Sequence, residues 1–386
     1  MSTTLVPPLV TESAETRALR LEVRAFLREE IAAGSFTPWV DTWLTRWDAG
    51  FTRKLAGRGW VGMTVPTEYG GHGRTFLDRF AVTEELLAVG APVAAQWVAD
   101  RQIAPSLLRF GTEHQKRTFL PRIVAGDMCW GIGMSEPESG SDLASVQTRA
   151  RQVDGGWVLQ GRKTWTSGAH EADAFFALAR TAPVDPSNRH AGLSQFAVDL
   201  HADGVSIEPI VAMNGSRHFN EVLLDDVFVP DEMVLGEIGQ GWHQVTSELA
   251  FERSGPERFL STYPLLEAAL AAHRESRPGT PSGLGRHIAR LTALHQLSIS
   301  VAGSLQAGAG ADTAAALVKV LGTTEEGDIA DTVERLLADG ALDGGVDPGA
   351  LAALTDAAVL QRPGFTLRGG TNEILRGVVA RGLGLR

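Results

Sequence analysis

The 386-residue chain is 44% apolar and 21% charged, a balance that excludes a disordered protein, and its length exceeds one compact core and points to two or three domains. Thirty-five Lys and Arg stand against 46 Asp and Glu, a net charge of −11, which speaks against a non-specific nucleic-acid binder. The single cysteine, Cys129, excludes an internal disulfide and a multi-thiolate metal site and fits a reducing compartment. The first residues carry Glu12, Glu15, Arg17 and Arg20 without the apolar stretch of a signal peptide, and no apolar run approaches about 18 residues. A cytoplasmic protein without membrane insertion is therefore expected.

In chain order, Leu19, Val23, Phe26, Leu27 and Ile31 recur at steps of three and four, and helical patterning continues to about Asp127. Trp39, Trp43 and Trp47, spaced by four, read as packing anchors of a helix. From Met128 to Gly239 the texture changes to short β-rich runs: Trp157–Leu159, Phe175–Ala179, Gln195–Val198, Val205–Ile207 and Val222–Val229. Helical spacing returns over 242–273, 285–308, 311–321, 328–338 and 349–361, with Ser276–Gly285 and Asp339–Pro348 read as loops. The expected organisation is α (1–127), then β (128–239), then α (240–386), an α+β fold.

Chemistry-bearing residues fall in four places. Trp242, Val245, Leu249, Glu252, Phe259 and Tyr263 are spaced to share one helix face, with a kink at Pro256. Glu252 is then an acid on an apolar stripe, where burial raises a carboxylate pKa toward that of a general base. A structural ion pair with Arg253 or Arg258 satisfies the same pattern. The segment Met134–Asp142 packs Ser135, Gly140 and Ser141 into a loop whose N–H groups and hydroxyls suit a phosphate or the polar edge of a planar cofactor, or a capped turn. Lys163–Gly168 sets Trp165 beside Thr166 and Ser167, and Arg368–Arg376 opens a terminal helix with a diglycine that lets a ligand approach the backbone. The ten histidines show no metal-binding spacing; His218 and His243 lie near these segments.

Taken together, these segments resemble the acyl-CoA dehydrogenase family along nearly the whole chain. Met134–Asp142 resembles its T-E-P-x-x-G-S-D signature, with Ser135 for the threonine. Lys163–Ser167 resembles K-x-W-I-T, Val222–Gly241 resembles the V-P…L-G stretch entering the last domain, and Gly370–Leu385 resembles G-T-x-E-I-x-R…A-R-x-L-G-L. The resemblance implies an N-terminal helical domain, a middle β-domain and a C-terminal four-helix bundle binding FAD. It assigns Ile132, Met134, Ser135, Gly140, Ser141, Trp165, Thr166, Ser167, Gly370, Thr371 and Glu373 to the flavin. Ser141, Ala250, Arg253, Gly369 and Arg381 are assigned to acyl-CoA. The implied reaction passes the α-proton to a carboxylate and the β-hydride to flavin N5, with an electron-transfer flavoprotein as acceptor.

Two departures sharpen this. Most members carry the base in a Tyr-Glu-Gly-Thr segment, whereas the matching residues here are Arg368-Gly369-Gly370-Thr371. A subset carries it instead in an L-x-x-E-R context, which here reads Leu249-Ala250-Phe251-Glu252-Arg253 and selects Glu252 as catalytic. The R-x-x-F-G and Q-x-x-G-G-x-G motifs that help bind a neighbouring subunit's FAD are absent from 274–286 and Leu360–Phe365. That absence resembles heteromeric bacterial dehydrogenases of bulky, often steroid-derived acyl-CoAs, so a second, unlike subunit stands beside a homo-oligomer as the expected partner. A partner-dependent subunit with an incomplete site, and a flavin oxidase or monooxygenase on the same fold, are the alternatives carried forward.

Overall fold

The structure is a computed structural model. It describes the backbone of residues 5–276, 282–342 and 347–385, and the side chains of these except 248–252, 275, 276 and 282. Helices α1 (Ala14–Ala32), α2 (Thr42–Thr45), α3 (Ala49–Gly57), α4 (Phe76–Ala88), α5 (Ala94–Val98), α6 (Ala104–Phe110) and α7 (Glu113–Val124) come first. Strands β1 (Trp130–Gly133), β2 (Arg149–Val153), β3 (Gly156–Ser167), β4 (Ala174–Arg180), β5 (Leu193–Asp199), β6 (Val205–Ile210), β7 (Phe219–Pro230) and β8 (Val234–Leu235) follow. Helices α8 (Gly241–Arg253), α9 (Tyr263–Ser276), α10 (Ser282–Gln306), α11 (Asp312–Ala338), α12 (Pro348–Leu367) and α13 (Asn372–Gly382) end the chain. The α, β, α order and the α+β class are those expected from the sequence. No described helix is long and apolar enough to cross a membrane.

The chain forms two compact units. One comprises Leu44–Arg74 and Val93–Leu249, and the other Met1–Trp43, Thr75–Pro92 and Ala250–Arg386. The first holds a sheet ordered β6-β7-β3-β2-β4-β5-β8, with β1 added parallel to β4. Strand β4 is buried along its whole length, as its unbroken apolar run requires of a strand covered on both faces. Phe175 joins one core cluster with Trp157, Phe196 and Val222. Its neighbour Phe176 joins a second with Trp130, Leu107 and Phe119, so the strand's alternation serves two cores. Trp130 anchors the latter, its ring 5.1 Å from Phe119 and 5.2 Å from Phe176.

In the second unit, the Thr16 hydroxyl on α1 donates to Asp78 on α4, and Arg20 bridges to Glu84 and Glu85. Helix α11 runs at the centre of the bundle. Its Lys319 Nζ donates to the Thr366 carbonyl and to Asn372 Oδ1, both at 2.9 Å, which ties the end of α12 to the start of α13.

Three expectations change. The helix carrying Glu252 ends at Arg253 rather than bending at Pro256. Gly255 is extended, the conformation favoured before proline, and Pro256 opens a single 3₁₀ turn. Phe259 and Tyr263 therefore do not share a helix with Trp242. The segments 311–321 and 328–338 are one helix, because Gly322 is there for a close approach and not as a break. Of the three spaced tryptophans only Trp43 is helical, on a single turn, while Trp47 belongs to the other unit and packs against Gly168.

A β-carbon on Gly322 would lie 2.2 Å from the Arg258 carbonyl oxygen, whereas one on Gly364 of α12 would meet nothing within 4 Å. Gly322→Ala should thus destabilise by about 1–3 kcal/mol despite alanine's better helix propensity. Gly364→Ala should stabilise by up to about 1 kcal/mol. Urea unfolding of the pair checks both signs.

Candidate functional site

In the β-containing unit the polar loop 134–142 is built around Glu136. Its backbone exchanges hydrogen bonds with Ser139, and the Ser139 hydroxyl donates to the Asp142 carbonyl, which closes the turn. The Glu136 carboxylate is buried and accepts from the backbone N–H of Gln147 at 2.6 Å and of Thr148 at 2.9 Å. It also accepts from Lys163 Nζ at 2.8 Å. Burial opposes ionisation of Glu136, but Lys163 and these hydrogen bonds outweigh it and hold its pKa below the usual carboxylate value. Lys163 is fully buried, and desolvation pushes its pKa down to about 8 although Glu136 supports its charge. Lys163 Nζ further donates to the Met134 carbonyl, and Thr164 N–H to that of Ser135. The loop is thereby fastened to β3.

Immediately after this fastening the ladder between β3 and β7 shifts register. Lys163 faces Val222 and Thr166 faces Asn220, which leaves one extra residue on β3. Trp165 sits in this bulge at φ +60°, a residue 57% exposed whose ring is edge-on to Phe219 at 5.5 Å. A left-handed tryptophan costs about 1–2 kcal/mol, so an exposed one points to use of its surface. Buried Asn220 holds the turn from below. Its amide donates to the carbonyls of Thr166 and His218, and its oxygen meets His170 Nδ1 at 2.9 Å.

Among the residues assigned from sequence, Ile132, Met134, Ser135 and Ser167 are half-buried beside exposed Gly140 and Ser141. Thr166 differs: its side chain is fully buried, with a hydroxyl that finds no hydrogen-bond partner among the described residues. Only its backbone takes part in the turn. His218 lies tilted against Phe219 at 4.0 Å and contacts the Ser216 hydroxyl, and exposed His243 lies edge-on to Phe110.

The other unit holds the remaining assignments. Glu252 and Ala250 lie on α8, with side chains outside the described residues. Arg253 Nε donates to the Gly369 carbonyl at 3.4 Å. Gly369 and Gly370, at φ +68° and +86°, lead into α13, where the Thr371 side chain caps Ile374 N–H and exposed Glu373 lies in the first turn. Arg381 is exposed in the last turn of α13. A cavity of about 250 Å³ opens beside Glu373, lined by Thr323, Thr324, Asp328, Arg362, Asn372 and Arg376.

Arg368 grips buried Asp41 with both Nη atoms, at 2.8 and 2.6 Å, and lies over the Trp43 ring at 4.6 Å. Glu326 is buried in the same region and accepts the Ser261 N–H at 2.8 Å. Desolvation raises its pKa to about 7, against the pull of Arg368. The sequence reading missed both this cluster and the Lys163–Glu136 pair. The only signal for the pair was a lysine at an inward position of a strand.

Comparison with known proteins agrees with the motifs. The acyl-CoA dehydrogenase N-terminal domain matches residues 13–127 and the family's middle domain matches 131–227. Acyl-CoA dehydrogenase IpdE1 of Mycobacterium tuberculosis is 42% identical over 203 residues, 53% of this chain and 52% of that protein. The chain thus spans about half the length of this curated relative. The Tcur3481-Tcur3483 steroid ACAD superposes with a TM-score of 0.83 at 30% identity, covering 97% of this chain and 99% of that one. This chain belongs to the acyl-CoA dehydrogenase family. The ChsE4-ChsE5 complex from Mycobacterium tuberculosis matches with a TM-score of 0.80 at 28% identity over 98% of this chain and 99% of that one.

Because the folded-state pKa of Glu326 lies above its ordinary value of 4.5, its stabilising contribution is complete below about pH 4.5 and is lost as pH rises through about 7. Glu326→Gln should remove that dependence and, relative to wild type, gain on the order of 3 kcal/mol between pH 4.5 and 8. Urea unfolding of both proteins across this range tests it; parallel profiles would contradict the assignment.

Proposed function

We propose that this protein catalyses FAD-dependent α,β-dehydrogenation of an acyl-CoA thioester, with Glu252 as the base. The observation that carries the proposal is Trp165, an aromatic plane held exposed and strained beside a fastened, hydroxyl-bearing loop. That surface fits a planar group with polar edges. Met134, Ser135, Trp165 and Ser167 would hold the ring, with Ile132, Gly140 and the Thr166 backbone completing the surface. Gly370, Thr371 and Glu373 would contact the rest of the cofactor. FAD, when bound, supplies the acceptor for the β-hydride.

Glu252 takes the α-proton on a carboxylate oxygen. By sequence spacing Leu249, three residues earlier, shares the helix face of Glu252. Arg253, Gly369 and Arg381 are proposed to hold the CoA moiety, with Ala250 against the thioester arm and Ser141 at the phosphate end. Gly369 stands where most family members carry the base, and the acyl group is proposed to be bulky. The steroid ACAD among the similar structures supports a polycyclic substrate of this kind.

An electron-transfer flavoprotein is the proposed electron acceptor. A second subunit is the proposed structural partner, because the motifs that contact a neighbour's FAD are missing from 274–286 and Leu360–Phe365. The ChsE4-ChsE5 complex supports such pairing. If the second reading holds, and this chain completes a partner's site, the chain with its partner will turn over normally whatever residue 252 is.

Glu252→Gln should bind FAD and acyl-CoA as wild type does but lose about 10²–10⁴-fold in acyl-CoA-dependent dye reduction. Equal rates in the two proteins would transfer the base to another residue and favour the partner-completing role.

A further inference from the structure

We propose that Lys163 and Glu136 form a positioning pair whose purpose is the orientation of Trp165. Three observations converge on it. Lys163 is the last residue in register before the bulge, so a tether on its side chain fixes where the extra residue begins. The tether reaches a carboxylate already fixed by two backbone N–H groups, so it transmits the position of residues 147–148 to the turn. A path is also kept open for it. A β-carbon on Gly133 would lie 3.2 Å from Lys163 Cγ and 2.2 Å from the Phe175 ring, so any larger residue on β1 would displace the lysine stem.

The pair acts through Trp165 and touches no reacting atom. Thr164 N–H to the Ser135 carbonyl and Lys163 Nζ to the Met134 carbonyl carry the same tether along the loop. The spacing between the Ser135 hydroxyl and the Trp165 ring is thereby set by one buried ion pair. Asn220 clamps the far side of the bulge and leaves Trp165 as the residue that must turn outward. Loss of the tether lets the bulge relax and the indole leave its left-handed position.

The inference rests on the flavin reading for its cofactor arm only. The test uses the full chain labelled with 5-fluorotryptophan, the Trp165 resonance being assigned with Trp165→Phe. Glu136→Gln is compared with the charge-free double variant Glu136→Gln/Lys163→Met, which leaves no unpaired buried charge if the single variant fails to fold. Arg162→Ala, which removes an exposed ion pair to Glu221 on the same strands, is the control.

The pair-deleted protein should shift or broaden the Trp165 fluorine line in the apo state and bind FAD about tenfold or more weakly. The control should do neither. A folded double variant that keeps the Trp165 line and binds FAD within about twofold of wild type would overturn the proposal, even if its melting temperature falls. Should wild type bind no FAD, the flavin reading fails, and the apo fluorine spectrum still decides the positioning role.

Discussion

A fully buried lysine–glutamate pair joins the two segments that present the polar loop and the exposed tryptophan. Breaking a buried pair by removing one partner costs about 3–5 kcal/mol, because the remaining charge is stranded. Here the cost is contained by geometry: Glu136 receives three donors and Lys163 reaches two acceptors, so neither charge relies on the other alone. The arrangement fastens the loop to β3 just before its bulge within the β-containing unit. Fastening of this kind suits the proposed flavin surface, where the protein would contribute orientation and electrostatics and the cofactor the chemistry.

The helical unit solves a different problem with the same means. Arg368, next to Gly369, is committed to Asp41 and to the rings of Trp43 and Phe365. It anchors the base of the diglycine turn, and Arg253 meets that turn through the Gly369 carbonyl. The diglycine turn carries no acid of its own, and Glu252 on α8 is the acid proposed as the base.

Much of this was legible in the sequence because it is written in local patterns. Short β-rich runs marked β3 to β7, and the collinear loop, K-x-W and terminal motifs identified the family that the matched domains and the similar structures bear out. What escaped the sequence depends on contacts between distant residues. The residues between 311–321 and 328–338 fall outside both helical segments of the sequence reading, since nothing local reveals that Gly322 makes space for the Arg258 carbonyl. The helix stop at Ser254–Gly255 was read as a kink, because periodicity continued by coincidence into Phe259 and Tyr263. Lys163 and Glu136 are 27 residues apart and were seen only as members of separate motifs. Thr166, assigned with its motif neighbours, faces inward because the bulge turns Trp165 outward in its place.

The central claim is that this chain carries both the flavin surface and the base for acyl-CoA oxidation. Anaerobic titration of the FAD-loaded protein with short, long and polycyclic acyl-CoAs, followed by flavin absorbance, tests it most directly. The account predicts stoichiometric bleaching by the polycyclic class. Flavin that stays oxidised with every acyl-CoA in the panel would contradict it.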